Sequence, residues 1–206
     1  MRWLRSPLGI TIALAIIAAS AFVGWKAVQS TVRVKEAVAA GQMARIRSEQ
    51  EALREALESF RNRYGTEPPA NNDPLALQRQ FRKMFPRYAG DAAEDLAAAG
   101  LNVENLDAAE MLVFSLGGMR ESPGSKTLLG FSPNPEAPLD RSHPGRPLFA
   151  FDVQRLVDAD GDGWLEYQTS PPGDQRGFFR FDSDPVGGRI RIVVAGLQID
   201  GDATSP

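Results

Sequence analysis

The feature that most constrains this chain lies at its start. An uncharged apolar run, Leu8-Gly-Ile-Thr-Ile-Ala-Leu-Ala-Ile-Ile-Ala-Ala-Ser-Ala-Phe-Val-Gly-Trp25, passes without a proline into a charged, alanine-rich segment that ends at Tyr64-Gly65, ahead of Pro68-Pro69. An apolar half followed by an amphipathic half predicts one long helix. At about 1.5 Å per residue, roughly 18 apolar residues are near the minimum that spans a bilayer core. The expectation is a membrane-rooted helix that carries the rest of the chain on its far end.

Three readings of residues 1–25 stand side by side. In one, Arg2 and Arg5 stay in the cytoplasm and the apolar run remains as a single span, with the body outside. In the second, the run is a secretory signal peptide cut at Ala19-Ser20-Ala21. In the third, a short basic leader ends at Gly9 and the mature chain starts at Ile10-Thr11 with its apolar helix retained. All three export the body across the membrane. Because the helical pattern runs on beyond Trp25, the retained-helix readings are preferred.

From Lys26 to Tyr64, Val28, Val32, Val38, Met43, Ile46, Leu53, Leu57 and Phe60 recur at helical steps, leaving one face able to pack. Arg45, Arg47, Glu49, Glu51, Arg54, Glu55 and Glu58 read as a solvated face. The domain plan is then a basic leader (1–9), a transmembrane half-helix (10–25), an amphipathic stalk (26–64) and a globular α+β domain (65–206).

Bulk composition narrows the function classes. With 23 basic and 26 acidic residues the net charge is −3, and no dense basic block invites nucleic acid. The chain has no cysteine and a single histidine, which removes disulfides, thiolate catalysis and most histidine-based metal sites. Ser142-His143 beside Asp140 has the residue types of a hydrolase, but neighbours in sequence do not make a relay, so no enzyme is expected.

The middle of the chain predicts three short helices. One runs from Pro74, capped by Asp73, to Phe85, with Arg79, Arg82, Lys83 and Arg87 making it basic. Another covers Asp91 to Ala99 and closes at Gly100. A third, more apolar, covers Ala108 to Leu116, capped by Asn105 or Asp107 and ended by Gly117-Gly118, with Met111, Leu112, Phe114 and Leu116 facing the core. Residues 121–147 read as an ordered loop with a short strand at Thr127–Phe131 and with Phe131, Leu139 and Phe149 as pegs. Period-two patterning then predicts strands at Leu148–Val153, Trp164–Tyr167, Gly177–Asp182 and Arg189–Ala195, forming a small antiparallel sheet with the stalk as its cover.

Among these strands lies Asp158-Ala-Asp160-Gly-Asp162-Gly163-Trp-Leu-Glu166. Carboxylates at alternate positions around a turning glycine converge oxygen ligands, which suits a hard cation such as calcium. The first six positions match an EF-hand loop, but Thr169 stands at the twelfth; Glu166 at the ninth offers a replacement ligand. The metal reading is Asp158, Asp160, Asp162 and Glu166. The alternative is an Asp/Gly turn that hydrogen-bonds its own backbone. A second acidic set, Asp182, Asp184, Asp200 and Asp202, lies in later turns.

Taken together, the leader with Gly9-Ile10-Thr11, the two-part helix, its ending Phe60-Arg-Asn-Arg-Tyr-Gly-Thr-Glu-Pro-Pro69 and the small C-terminal sheet resemble type IV pilin-like proteins, nearest to the pseudopilins of type II secretion. Leu106–Gly118, Gly130–Pro135, Phe149–Asp152, the acidic loop and Ile192–Gly196 resemble a group of bacterial pseudopilin-like proteins. The resemblance implies a single-pass inner-membrane subunit with a periplasmic domain. Its leader would be cut between Gly9 and Ile10 by a prepilin peptidase, and its helix would pack against other pilin-like subunits. It also implies calcium near the C-terminal end. Leu14 departs from the pattern: it stands where such chains carry a glutamate five residues into the mature sequence. The alternative function is a membrane-anchored, calcium-stabilised binding module that does not polymerise.

Overall fold

A computed structural model describes residues 37–68, 74–100, 104, 106–170, 177–183 and 189–195. The apolar run, the Gly9–Ile10 junction, the Asp73 cap and the acidic residues Asp184, Asp200 and Asp202 lie outside these residues. Among the described residues no helix is long and apolar enough to cross a membrane. The chain divides into two compact units, Met1–Ile46 and Arg47–Pro206. In the first, residues 37–46 are helical. The second contains the features below, and its helical residues 47–64 are here called α1.

The second unit is α+β. After α1 come α2 (Pro74–Met84), α3 (Ala92–Ala98) and α4 (Ala108–Gly117), then a 3-10 turn (Val153–Arg155). Four strands follow: β1 (Leu156–Val157), β2 (Glu166–Gln168), β3 (Phe178–Ser183) and β4 (Ile190–Ala195). They form an antiparallel sheet in the order β1-β2-β3-β4, with Phe181 opposite Ile192 and Tyr167 opposite Phe179.

Local chemistry sets the element ends. Helix α1 stops where Gly65 takes a left-handed φ of 67° and its N–H reaches the Arg61 carbonyl at 2.8 Å, a conformation glycine adopts without a Cβ penalty. Asp91 caps α3 by accepting from the N–H groups of Ala93 and Glu94. Asp107 and Glu110 form a reciprocal capping box at the start of α4.

Two expected strands are absent. The period-two stretch Leu148–Val153 forms no ladder, because Asp152 caps the 3-10 turn through the Gln154 N–H and its aromatic residues pack sideways instead. Phe149 and Phe151 stand edge-on to Tyr167. The stretch Thr127–Phe131 makes only isolated bridges, Gly118 to Gly130 and Arg120 to Leu128. A Cβ on Gly118 would lie 2.3 Å from the Gly130 carbonyl carbon, so this backbone crossing requires glycine.

The core has α4 at its centre. Every residue from Ala109 to Gly117 is buried, and α4 packs on β2 and β3. Helix α4 is therefore a cover of the sheet that the sequence patterning did not lead us to expect. Phe131 is the peg expected of it, meeting Tyr64, Phe81, Phe85 and Phe114 edge-on. Leu139 and Phe149 are only half-buried.

Helix α1 reaches the sheet along β4. Alternate residues of a strand point their polar backbone groups the same way, and those of Ile190 and Ile192 point away from β3. Gln50 donates to the Ile192 carbonyl at 2.6 Å, Arg61 donates to the Ile190 carbonyl at 2.8 Å, and the Ile190 N–H donates to Glu67 at 2.8 Å. These side chains occupy hydrogen-bonding groups that an edge strand otherwise offers to another chain.

The charges of α1 are not all a solvated face. Glu49 receives a two-pronged hydrogen bond from Arg155, at 2.6 and 2.7 Å, and accepts from the Tyr167 hydroxyl at 2.6 Å. Arg155 is 2% exposed, lies over the Tyr167 ring and also donates to the Gln168 carbonyl. The one-dimensional pattern groups Glu49 with Glu51 and Arg54; the fold turns it inward.

Candidate metal centre

The loop between β1 and β2 carries the acidic run. Asp158 bends it: its two oxygens accept from the N–H groups of Gly161 at 2.8 Å and Gly163 at 3.1 Å. Asp160 and Asp162 accept from the N–H groups of Asp162 and Trp164. Gly161 and Gly163 take left-handed φ values of 82° and 96°. Glu166, buried at the start of β2, holds the loop's near end by accepting from the Ala159 N–H at 2.8 Å. Arg120 reaches over from the 118–130 crossing to donate to the Gly163 carbonyl and lies above the Trp164 ring.

This fixed loop faces α4. Carboxylate oxygens of Glu110, Asp160 and Asp162 all lie within 4.8 Å of one another. Such a set of three can hold a metal ion. Glu110 is fully buried, Asp162 partly exposed and Asp160 exposed, so the cluster runs from the core to the surface. One Glu110 oxygen accepts from the Asp107 N–H at 2.7 Å. The other, Oε1, is buried without a hydrogen-bond partner.

The electrostatics follow from that arrangement. Burial pushes the Glu110 carboxyl up to about 8, the Asp107 N–H opposes the shift, and the neighbouring Asp162 adds to it. Burial also raises Glu166 to about 7, against the Ala159 N–H and with contributions from Asp107 and Asp160.

Of the four residues read from sequence as metal ligands, Asp160 and Asp162 join the three-carboxylate cluster. Asp158 and Glu166 are committed to loop N–H groups. The member that sequence reasoning missed is Glu110. Its signal was a carboxylate in the third position of the Asp107 helix start, immediately before the apolar run Met111-Leu-Val-Phe114. Asp182 pairs with Arg191 at 2.8 Å instead of approaching the loop.

Asp140, Ser142 and His143 do meet, but as a local turn. The Ser142 hydroxyl contacts Asp140 Oδ1 at 2.6 Å and His143 Nδ1 at 3.0 Å, and the same Nδ1 lies 3.0 Å from Asp140 Oδ2. A hydrolytic relay needs the two imidazole nitrogens to face serine and aspartate separately. The contacts with Ser142, first, and with His143 hold Asp140 down at about 2.

No family model, no curated protein and no solved structure matches this chain.

Proposed function

We propose that this chain is a non-enzymatic, pilin-like subunit or accessory protein of a type II secretion or type IV pilus-like apparatus, anchored in the inner membrane with its α+β domain in the periplasm. The observation that carries the reading is the attachment of α1 to the sheet. The helix that continues the apolar N-terminal segment in sequence is tied to β4 by Gln50 and Arg61, and to the 3-10 turn and β2 through Glu49, Arg155 and Tyr167. A helix so attached can carry the sheet while presenting its other face to neighbouring helices. In this reading the ion of the acidic loop is calcium, since an all-oxygen set of carboxylates suits a hard cation.

The mass of the mature N-terminus tests the reading. A chain starting at Ile10, crosslinking in membranes to pilin-like neighbours, supports it. A start at Phe22, or an intact Met1 with no such crosslinks, overturns the filament role. The second reading, an anchored calcium-stabilised binding module, is favoured by the buried unpartnered oxygen of Glu110, which needs no polymer to explain it.

A further inference from the structure

We infer that Glu110, Asp160 and Asp162 form one calcium-sized cation site in which the ion clamps the β1–β2 loop onto the buried helix α4. The inference rests on the ion reading above and is independent of the filament reading.

Glu110 supplies the first argument. The residue is 0% exposed; Oε2 is taken by the Asp107 N–H, and Oε1 finds no donor in the protein, because its neighbour Asp162 is itself a carboxylate that can bond it only through a shared proton or cation. An interior carboxylate oxygen left unpaired is costly, and native folds normally supply a partner. Here the acidic neighbours are Asp160 and Asp162, both acceptors when ionised. A proton or a cation is what the three oxygens can share.

Spacing admits one cation, and shell chemistry selects among cations. The three carboxylate oxygens lie within 4.8 Å of one another, close enough for a single ion to touch all three. Calcium takes about six to eight oxygens in a flexible shell, whereas magnesium demands a near-octahedral one and gives up its water reluctantly. The exposed Asp160 end gives the ion an entry path and room for the water ligands that complete a calcium shell.

The other two acids of the loop act as shapers. Asp158 gathers Gly161 and Gly163, and Glu166 gathers Ala159. Their bonds set the turn that aims Asp160 and Asp162 at α4. The ligand set thus exchanges the nearby Glu166 for Glu110, far away in sequence. A bound ion would pin the loop to the core helix, whereas four acids from one loop would only stiffen the loop.

Trp164 provides a built-in probe. Its indole N–H donates to the Glu110 carbonyl at 3.3 Å, and its backbone N–H donates to Asp162 at 2.9 Å. The test is a terbium titration of the full-length chain in detergent, in chelator-treated buffer, reading terbium luminescence excited through tryptophan. The expected result is a signal that calcium displaces and that magnesium displaces only at much higher concentration. Glu110→Gln, matched in shape, weakens binding by about tenfold or more. Asp160→Asn, an exposed change that leaves the core untouched, does the same. Wild-type affinity in both variants overturns the assignment of these ligands while leaving an ion in the loop. Absence of any calcium-displaceable signal in the unaltered protein overturns the ion reading itself.

Discussion

Two helices each press a glutamate into the sheet region, and the two junctions are completed differently. At the α1 junction, Glu49 is met by the paired nitrogens of Arg155 and by the Tyr167 hydroxyl. At the α4 junction, Glu110 meets one backbone N–H and otherwise faces Asp160 and Asp162. The first charge is neutralised by the chain itself. The second is left for something from outside, a proton or a cation. A buried acid with its own arginine is a strut, and a buried acid facing other acids is a candidate receptor.

Breaking the strut should have the largest effect. Arg155→Met leaves Glu49 against Tyr167 without its counter-charge, and removing one partner of a buried pair costs about 3–5 kcal/mol. For a domain of this size that lowers the melting temperature by roughly 10 °C. Thermal unfolding of the full chain checks it. Adding Glu49→Leu should recover much of the loss, since the destabilisation comes mainly from the orphaned charge. A drop of only 1–2 °C for Arg155→Met, about the effect of a surface change, would remove the distinction between the two junctions.

The receptor should reveal itself through pH and calcium. The folded state holds the Glu110 proton up to about 8 against an ordinary 4.5, so folded protein binds it more tightly than unfolded protein. Stability from this group is therefore complete below pH 4.5 and is lost as pH rises through about 8. Glu166, raised to about 7, adds a loss of the same sign. In chelator, the melting temperature should fall between pH 5 and pH 9. Calcium at about 100 times its dissociation constant should restore about 2.7 kcal/mol at pH 8. A profile unaffected by calcium would place Glu110 among buried acids that simply stay protonated.

The difference between the junctions also explains what was legible beforehand. Helices α3 and α4 could be read because their signals are local: Asp91 and Asp107 each bond backbone groups two and three residues on. Strands β3 and β4 could be read from alternation around Phe179, Phe181, Ile190 and Ile192, all of which are buried. Leu148–Val153 shows the same alternation and is not a strand, because the Asp152 cap and the side-on packing of Phe149 and Phe151 overrode the period. The acidic loop was visible as a run of aspartates. Its deepest candidate ligand was not, since Glu110 precedes Asp160 by half a hundred positions and only the packing of α4 brings them together. Glu49 and Arg155 were hidden for the same reason, and no local pattern distinguishes a glutamate that will find an arginine 106 residues later.

A finer test compares neutral substitutions at the two glutamates in chelator at pH 8. Glu110→Gln removes a buried charge that lacks a partner and should stabilise the metal-free protein by about 1–2 kcal/mol, within the range by which buried ionic groups are improved upon. Glu49→Gln leaves the Arg155 charge without its carboxylate and should destabilise it. Opposite signs from the same chemical change support the contrast; equal signs in equilibrium urea unfolding would erase it.

The smallest effect belongs to the neighbouring acid of α1. Glu51 pairs with Arg54 at 2.7 Å, but the two side chains are 59% and 57% exposed. Water already solvates both, and salt screens them, so Glu51→Ala should change stability by no more than about 0.5 kcal/mol. Glu49 and Glu51 lie two positions apart, about 200° around a helix of 3.6 residues per turn, which places them on nearly opposite faces. With Glu49 turned to Arg155 and Tyr167, that offset leaves Glu51 on the water side. If Glu51→Ala costs as much as Glu49→Gln, burial on the sheet side of α1 is not what gives Glu49 its energetic weight.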